Sequence, residues 1–147
     1  MSEKTGQCMC GAVTFTARNV PDRFNACYCE MCRRWTGGRF MGVHLATDDV
    51  TLTGTDAIQT IKSSPWAERA FCGKCGSALW YKQSEGPDAD HYSISAGLFD
   101  DTSDMTLSKE YFSDCATSIH QTPSTTRKYT RAETFALFAP SDEGKPE

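Results

Sequence analysis

Cys8-Met9-Cys10-Gly11 and Cys72-Gly73-Lys74-Cys75-Gly76 are two short sulfur-bearing turns, each closed by a glycine. One ion that gripped both would oblige the chain between them to fold back on itself. A third group, Cys27-Tyr28-Cys29-Glu30-Met31-Cys32, lies between the two. Of the 8 cysteines in the chain, only Cys115 stands outside these groups. Zinc takes tetrahedral thiolate or imidazole ligands from turns of this kind. Gly11 and Gly76 suit them, because glycine accepts the positive φ with which a backbone bends around a metal. Pairing the first turn with the last gives a closed four-sulfur site of structural type at Cys8, Cys10, Cys72 and Cys75. Cys27, Cys29 and Cys32 are then left as ligands of a second zinc with one coordination position open to water or substrate, where the metal acts as a Lewis acid.

Spacing leaves other arrangements open. Cys32 can in principle join Cys72 and Cys75, and an iron–sulfur cluster can use the same thiols. Disulfides are disfavoured, because cysteines one or two residues apart seldom reach the geometry of an unstrained bridge. A redox-active pair would open a helix after a strand, whereas Cys72 and Cys75 lie between Phe71 and the strand-like run Ala78 to Tyr81. Linking Cys10 to Cys72 closes a loop of about 62 residues, at a cost of about 4 kcal/mol. A structural zinc supplies about 10–16 kcal/mol in model peptides, which outweighs that cost.

The length of 147 residues fits one domain, expected over 1–139, with 140–147 expected to form a disordered tail. Nineteen acidic residues against 15 basic ones give a net charge of -4, which argues against a general nucleic-acid binder. The chain has no apolar run of membrane-spanning length. Its start, MSEKTGQC, has no signal-type apolar core, so a cytoplasmic location is expected.

Gly11 to Ala17 alternates, with Val13 and Phe15 on one face. Met41, Val43 and Leu45 repeat that period, and Val50 to Thr53, Ala57 to Lys62, Ser77 to Lys82 and Asp90 to Ala96 read as further strands. The pattern predicts a mainly β fold. The CxCxxC group is expected on an irregular or helical turn running towards Trp35, Thr117 to Thr130 as loop, and Ala132 to Phe138 as a last strand or short helix.

Asp100, Asp101 and Asp104 fail as a calcium loop, because Met105 and Tyr111 stand where glycine and glutamate are required. No phosphate-cradling GxxxxGK[ST] or GxSxG turn is present. His44, His91 and His120 are isolated in the sequence and read as structural, and Cys115 reads as a small buried hydrophobe. Arg33, Arg34 and Arg39 follow the middle cysteine group directly. Their guanidinium forks are candidates for holding a carboxylate-bearing substrate beside an open zinc.

With CMCGAVTF, CYCEMCRRWTGGRF, SSPWAERAFCGKCGSALWY and ISAGLFDD in this order, the chain resembles the glutathione-dependent formaldehyde-activating family, which includes centromere protein V. The resemblance runs from about Gly6 to Asp101. It implies several small antiparallel sheets stapled by zinc–cysteine knots. It also implies structural ligands at Cys8, Cys10, Cys72 and Cys75 and a second, catalytic zinc at Cys27, Cys29 and Cys32, this second site being open to partial occupancy. Many relatives carry histidine where Tyr28 stands, and this chain differs again at Lys109 to Phe112 and Cys115 to Ile119.

The function so implied is a carbon–sulfur lyase type of chemistry, in which the thiol of glutathione or a related molecule adds to formaldehyde or a similar small aldehyde. A zinc-stabilised binding or scaffold domain without turnover is the alternative. Neither reading expects a nucleic-acid or membrane partner.

Overall fold

A computed structural model describes residues 1–138, so the expected tail 140–147 lies outside the described residues. Most of the chain is strand: β1 (Ser2–Gln7), β2 (Thr14–Val20), β3 (Arg23–Cys27), β4 (Phe40–Ala46), β5 (Val50–Thr53), β6 (Ile58–Ser64), β7 (Ala67–Cys72), β8 (Ala78–Gln83), β9 (His91–Ser95) and β10 (Thr106–Tyr111). Two short α-helices, α1 (Glu30–Thr36) and α2 (Arg131–Phe138), and five 3-10 turns make up the other elements of the described residues. None of the described helices is long and apolar enough to cross a membrane.

The strands form two sheets, in the orders β1-β2-β5 and β10-β3-β4-β9-β8-β7-β6. All pairings are antiparallel except that of β10 with β3. The expected mainly β fold with several sheets is observed, although the larger sheet gathers seven strands. Alternation sets which face goes inward. Val13 and Phe15 are buried, as are Val43 and Leu45, while Met41 at the end of the same row is exposed. Next to them, the row Ala70, Trp80, Ile94 and Val43 pairs across β7, β8, β9 and β4, and all four residues are buried. Phe15 meets Phe99 edge to face at 5.1 Å, which ties the small sheet to the turn after β9.

The inner surface mixes small and large side chains. Among its buried residues are Ala17, Ala57, Ala70, Ala96, Cys8 and Cys72. Each contributes little apolar area, so most of the burial falls to Phe15, Leu45, Leu79, Trp80, Ile94 and Phe99. Two cysteine turns, one from each sheet, also meet. Cys8 and Cys10 leave the end of β1, while Cys72 ends β7 and Cys75 sits in the turn to β8. The two turns are built alike. The Cys8 amide donates to the Val13 carbonyl and the Gly11 amide to Cys8, as the Cys72 amide donates to Ser77 and the Gly76 amide to Cys72. Gly11 and Gly76 take φ of 79° and 80°.

Beyond β10 the chain packs sparsely. Cys115, expected as a buried hydrophobe, is exposed in a single 3-10 turn at Ser113–Cys115. Its segment lies past the last strand and away from the inner face, so nothing covers it. Ala132 to Phe138 falls within α2 and is helical.

Two predictions follow from this frame. Gly54 has φ of 82°, and a Cβ there would strike the Ala12 carbonyl oxygen and carbon. Gly54→Ala should therefore lose about 1–3 kcal/mol in chemical denaturation, while Gly38→Ala, whose Cβ meets nothing, should stay within about 0.5 kcal/mol of the parent. Secondly, Cys10→Ser cuts a link between residues 62 apart, whereas Cys29→Ser affects only neighbours within one turn. Circular dichroism should find Cys10→Ser largely unfolded and Cys29→Ser folded; two equally folded variants would contradict the staple.

Candidate functional site

The ligand atoms of Cys8, Cys10, Cys72 and Cys75 all lie within 4.8 Å of one another. Cys8 Sγ is 3.7 Å from Cys10 Sγ, and Cys10 Sγ is 3.9 Å from Cys72 Sγ. A tetrahedral ion with metal–sulfur bonds of about 2.3 Å requires sulfur–sulfur edges of about 3.8 Å, so the donor set fits zinc. All eight cysteines are free thiols, and Cys32 lies in a different cluster from Cys72 and Cys75. Backbone and hydroxyl donors surround the sulfurs. The Val13 amide donates to Cys8 Sγ at 3.3 Å, and Cys75 Sγ lies 3.2 Å from Ser77 Oγ. The Ser77 hydroxyl, with amide donors against the cost of burial, holds the Cys75 thiol down to about 5. Cys10, although the Ala12 amide favours its thiolate, is pushed up to about 11 by burial and by the adjoining sulfurs. Proton affinity is thus unevenly spread over four crowded thiols, and a divalent cation resolves the crowding by replacing the protons.

Cys27, Cys29 and Cys32 form a second group of ligand atoms within 4.8 Å. Cys27 ends β3, and Cys29 caps α1, its Sγ accepting from the Cys32 amide at 3.3 Å. Glu30 occupies the first turn and Gly37, at φ of 84°, closes the helix, so α1 is a seven-residue bracket that aims Cys32 back at Cys27. The Cys32 thiol is held down to about 5, first by a hydrogen bond from Cys27 and, against burial, by Arg69. Cys27 is pushed up by Cys32 and by burial.

The three sulfurs open onto a cavity of about 580 Å³. Its floor is the face of the large sheet opposite the buried row. Arg69 pairs with Tyr81, Tyr81 with Ser93 and Ser93 with His44, so one row crosses four strands and lines the cavity. Trp66, Tyr111 and Phe112 contribute apolar wall. Gly42 lies under this surface, where a Cβ would strike the Ser93 side chain and Phe40.

Arg69 is the functional candidate that sequence reading did not pick out. It is 4% exposed, its Nη1 donates to Cys32 Sγ at 3.5 Å, and its guanidinium stacks on Trp35 at 4.8 Å and Tyr81 at 5.2 Å. A lone arginine between Ala67 and Phe71 on one strand face was the available signal, since an inward cation needs an anionic partner. Arg33, Arg34 and Arg39 lie outside the cavity lining. Arg34 pairs with Glu30 on the exposed side of α1, and Arg39 donates to the Tyr28 hydroxyl, which itself donates to Glu110. His44 and His91, isolated in sequence, stack ring on ring at 4.4 Å beside Asp88.

The sequence profile of the glutathione-dependent formaldehyde-activating enzyme family matches residues 3–115. An uncharacterized lyase of Schizosaccharomyces pombe is 31% identical over 107 residues, covering 73% of this chain and 76% of that protein. A protein of Halomonas elongata, whose name provisionally assigns it glutathione-dependent formaldehyde activation, is 38% identical over 100 residues, covering 62% of this chain and 63% of its own length. The crystal structure of a Rhodobacter sphaeroides protein superposes with a TM-score of 0.58 at 18% identity, over 72% of this chain and 98% of that one, which establishes a shared fold. With two sulfur clusters, a cavity beside the second, and a profile match across most of its length, this chain belongs to the glutathione-dependent formaldehyde-activating enzyme family.

Proposed function

We propose that the protein promotes addition of the thiol of glutathione, or a related small thiol, to formaldehyde or a similar small aldehyde, with zinc held by Cys27, Cys29 and Cys32 and a structural zinc held by Cys8, Cys10, Cys72 and Cys75. The observation that carries this reading is the three-sulfur group facing a cavity, with no fourth ligand in the group among the described residues. A zinc ion with three protein ligands supplies Lewis acidity at its open position, where a thiol loses its proton more readily. In the overall reaction the sulfur–carbon bond forms as the carbonyl π bond opens, and the thiol proton ends on the new hydroxyl oxygen.

The chain's own groups serve that chemistry in distinct ways. Three thiolates place three negative charges in one corner, and the Arg69 guanidinium beside Cys32 offsets one of them. Its stacking on Trp35 and Tyr81 fixes the cation without a flexible carboxylate partner. With a divalent ion bound, its two charges and the Arg69 guanidinium would balance the three thiolates, so this end of the cavity would not repel an anionic thiol substrate, whose binding the sequence suggested for Arg33, Arg34 and Arg39. Trp66, Tyr111 and Phe112 give the cavity apolar surface while remaining exposed themselves. Tyr28, bridged between Arg39 and Glu110, holds the start of the cysteine loop against β10.

Exchange between free formaldehyde and its glutathione adduct, followed by NMR, tests the reading. The parent protein should accelerate exchange, and Cys29→Ser should return it to the protein-free rate while the fold stays intact. Equal rates with and without the parent protein would remove the enzymatic claim and leave a binding domain. Arg69→Met keeps apolar packing against the two rings but loses the charge; it should slow exchange about 10–100-fold with the four-sulfur zinc retained.

A further inference from the structure

The cavity floor carries a second cluster of donors that the thiol–aldehyde reaction does not use. His44 and His91 stand on the same face of the β4–β9 pair, because His44 pairs with Ser93 and Ala46 with His91, and their rings stack at 4.4 Å with only 4° between planes. Asp88 is turned back over them by the bond from the His91 amide to the Asp88 carbonyl, at 3.0 Å. Asp88 Oδ1 then lies 3.8 Å from His44 Nε2, beyond hydrogen-bond reach, and the three ligand atoms fall within 4.8 Å of one another. His91 Nδ1 is 2.7 Å from an Asp90 carboxylate oxygen. A ring that donates from Nδ1 to a carboxylate leaves the lone pair of Nε2 outward, which is the arrangement that orients metal-binding histidines.

We propose that His44, Asp88 and His91 form a further metal site, distinct from both sulfur clusters, that takes a borderline divalent ion such as zinc. Two imidazoles and one carboxylate exclude the hard cations magnesium and calcium, which require oxygen donors, and favour zinc among the ions that accept nitrogen. The surrounding charge supports a cation. Asp88 and Asp90 contribute two carboxylates, against which stands Lys109, while the Lys82 ammonium is directed to the Ala89 carbonyl at 2.6 Å. Cys27 pairs with Phe40 on β4, and His44 lies four residues further along that strand, about 13 Å, so the ion would sit apart from the three-sulfur group in the same cavity. Its remaining coordination positions would be open to a carboxylate or carbonyl oxygen of whatever lies in that cavity.

The site is independent of the proposed reaction, and its test reads metal rather than turnover. Equilibrium dialysis of the full chain against micromolar zinc should find one more ion per chain in the parent than in the His44→Ala/His91→Ala double variant. Asp90→Asn, which alters the partner that orients His91 and removes no ligand atom, should weaken only this last ion, by about 10–100-fold. Cobalt added to the two-zinc protein should give the visible bands of nitrogen- and oxygen-bound cobalt without thiolate charge transfer, and the double variant should lose them. Identical zinc counts and affinities in parent and double variant would overturn the proposal, as would cobalt bands with thiolate character.

Discussion

Four sulfur atoms drawn from two distant turns are the constraint on which the rest of the molecule depends. β1 and β2 meet the seven-stranded sheet across a core in which alanine, valine and cysteine stand beside Phe15, Leu45, Leu79, Trp80, Ile94 and Phe99. The two glycine-closed turns repeat one hydrogen-bonding scheme, and they meet with sulfur–sulfur distances suited to a tetrahedral ion. An ion shared by these sulfurs would cross-link residues 62 apart and remove chain entropy that a short local loop does not. On the proposed reading the four-sulfur cluster would bear on folding, whereas the three-sulfur cluster, confined to the end of β3 and the start of α1, would be free to serve chemistry.

That division is continued by the large sheet. One row across four strands, Ala70, Trp80, Ile94 and Val43, faces the core, and the next row, Arg69, Tyr81, Ser93 and His44, faces the cavity. Strand pleating alone places these rows on opposite faces. Arg69 is consequently held on a rigid element beside Cys32, and the two histidines are held at the other end of the same surface. Both groups owe their position to register rather than to loops, which favours constant geometry over adaptability.

Much of this was readable in the sequence where a local pattern carried it. Val50 to Thr53 is β5, and the runs around Val43, Leu79 and Ile94 are strands because alternation or β-branched content persists over enough residues. The cysteine spacings and Gly11 and Gly76 marked the turns by chemistry. β1, with the sequence SEKTGQ, is a polar edge strand and has no apolar signature, and β10 pairs in parallel with β3 across about 80 residues, which no local pattern can announce. Arg69 and the His44–His91 stack were hidden for the same reason, since each depends on cross-strand pairing between segments that say nothing of one another in the chain. Cys115 shows the reverse error: its residue type suggests burial, and its position past the last strand leaves it exposed.

The most direct measurement is zinc K-edge X-ray absorption on the purified chain loaded with two equivalents of zinc. Sulfur should dominate the first shell, at about 2.3 Å, with a minor lighter-atom contribution from one open position. A first shell of nitrogen and oxygen alone, or a protein that remains folded after losing both ions to a chelator, would contradict the sulfur staple.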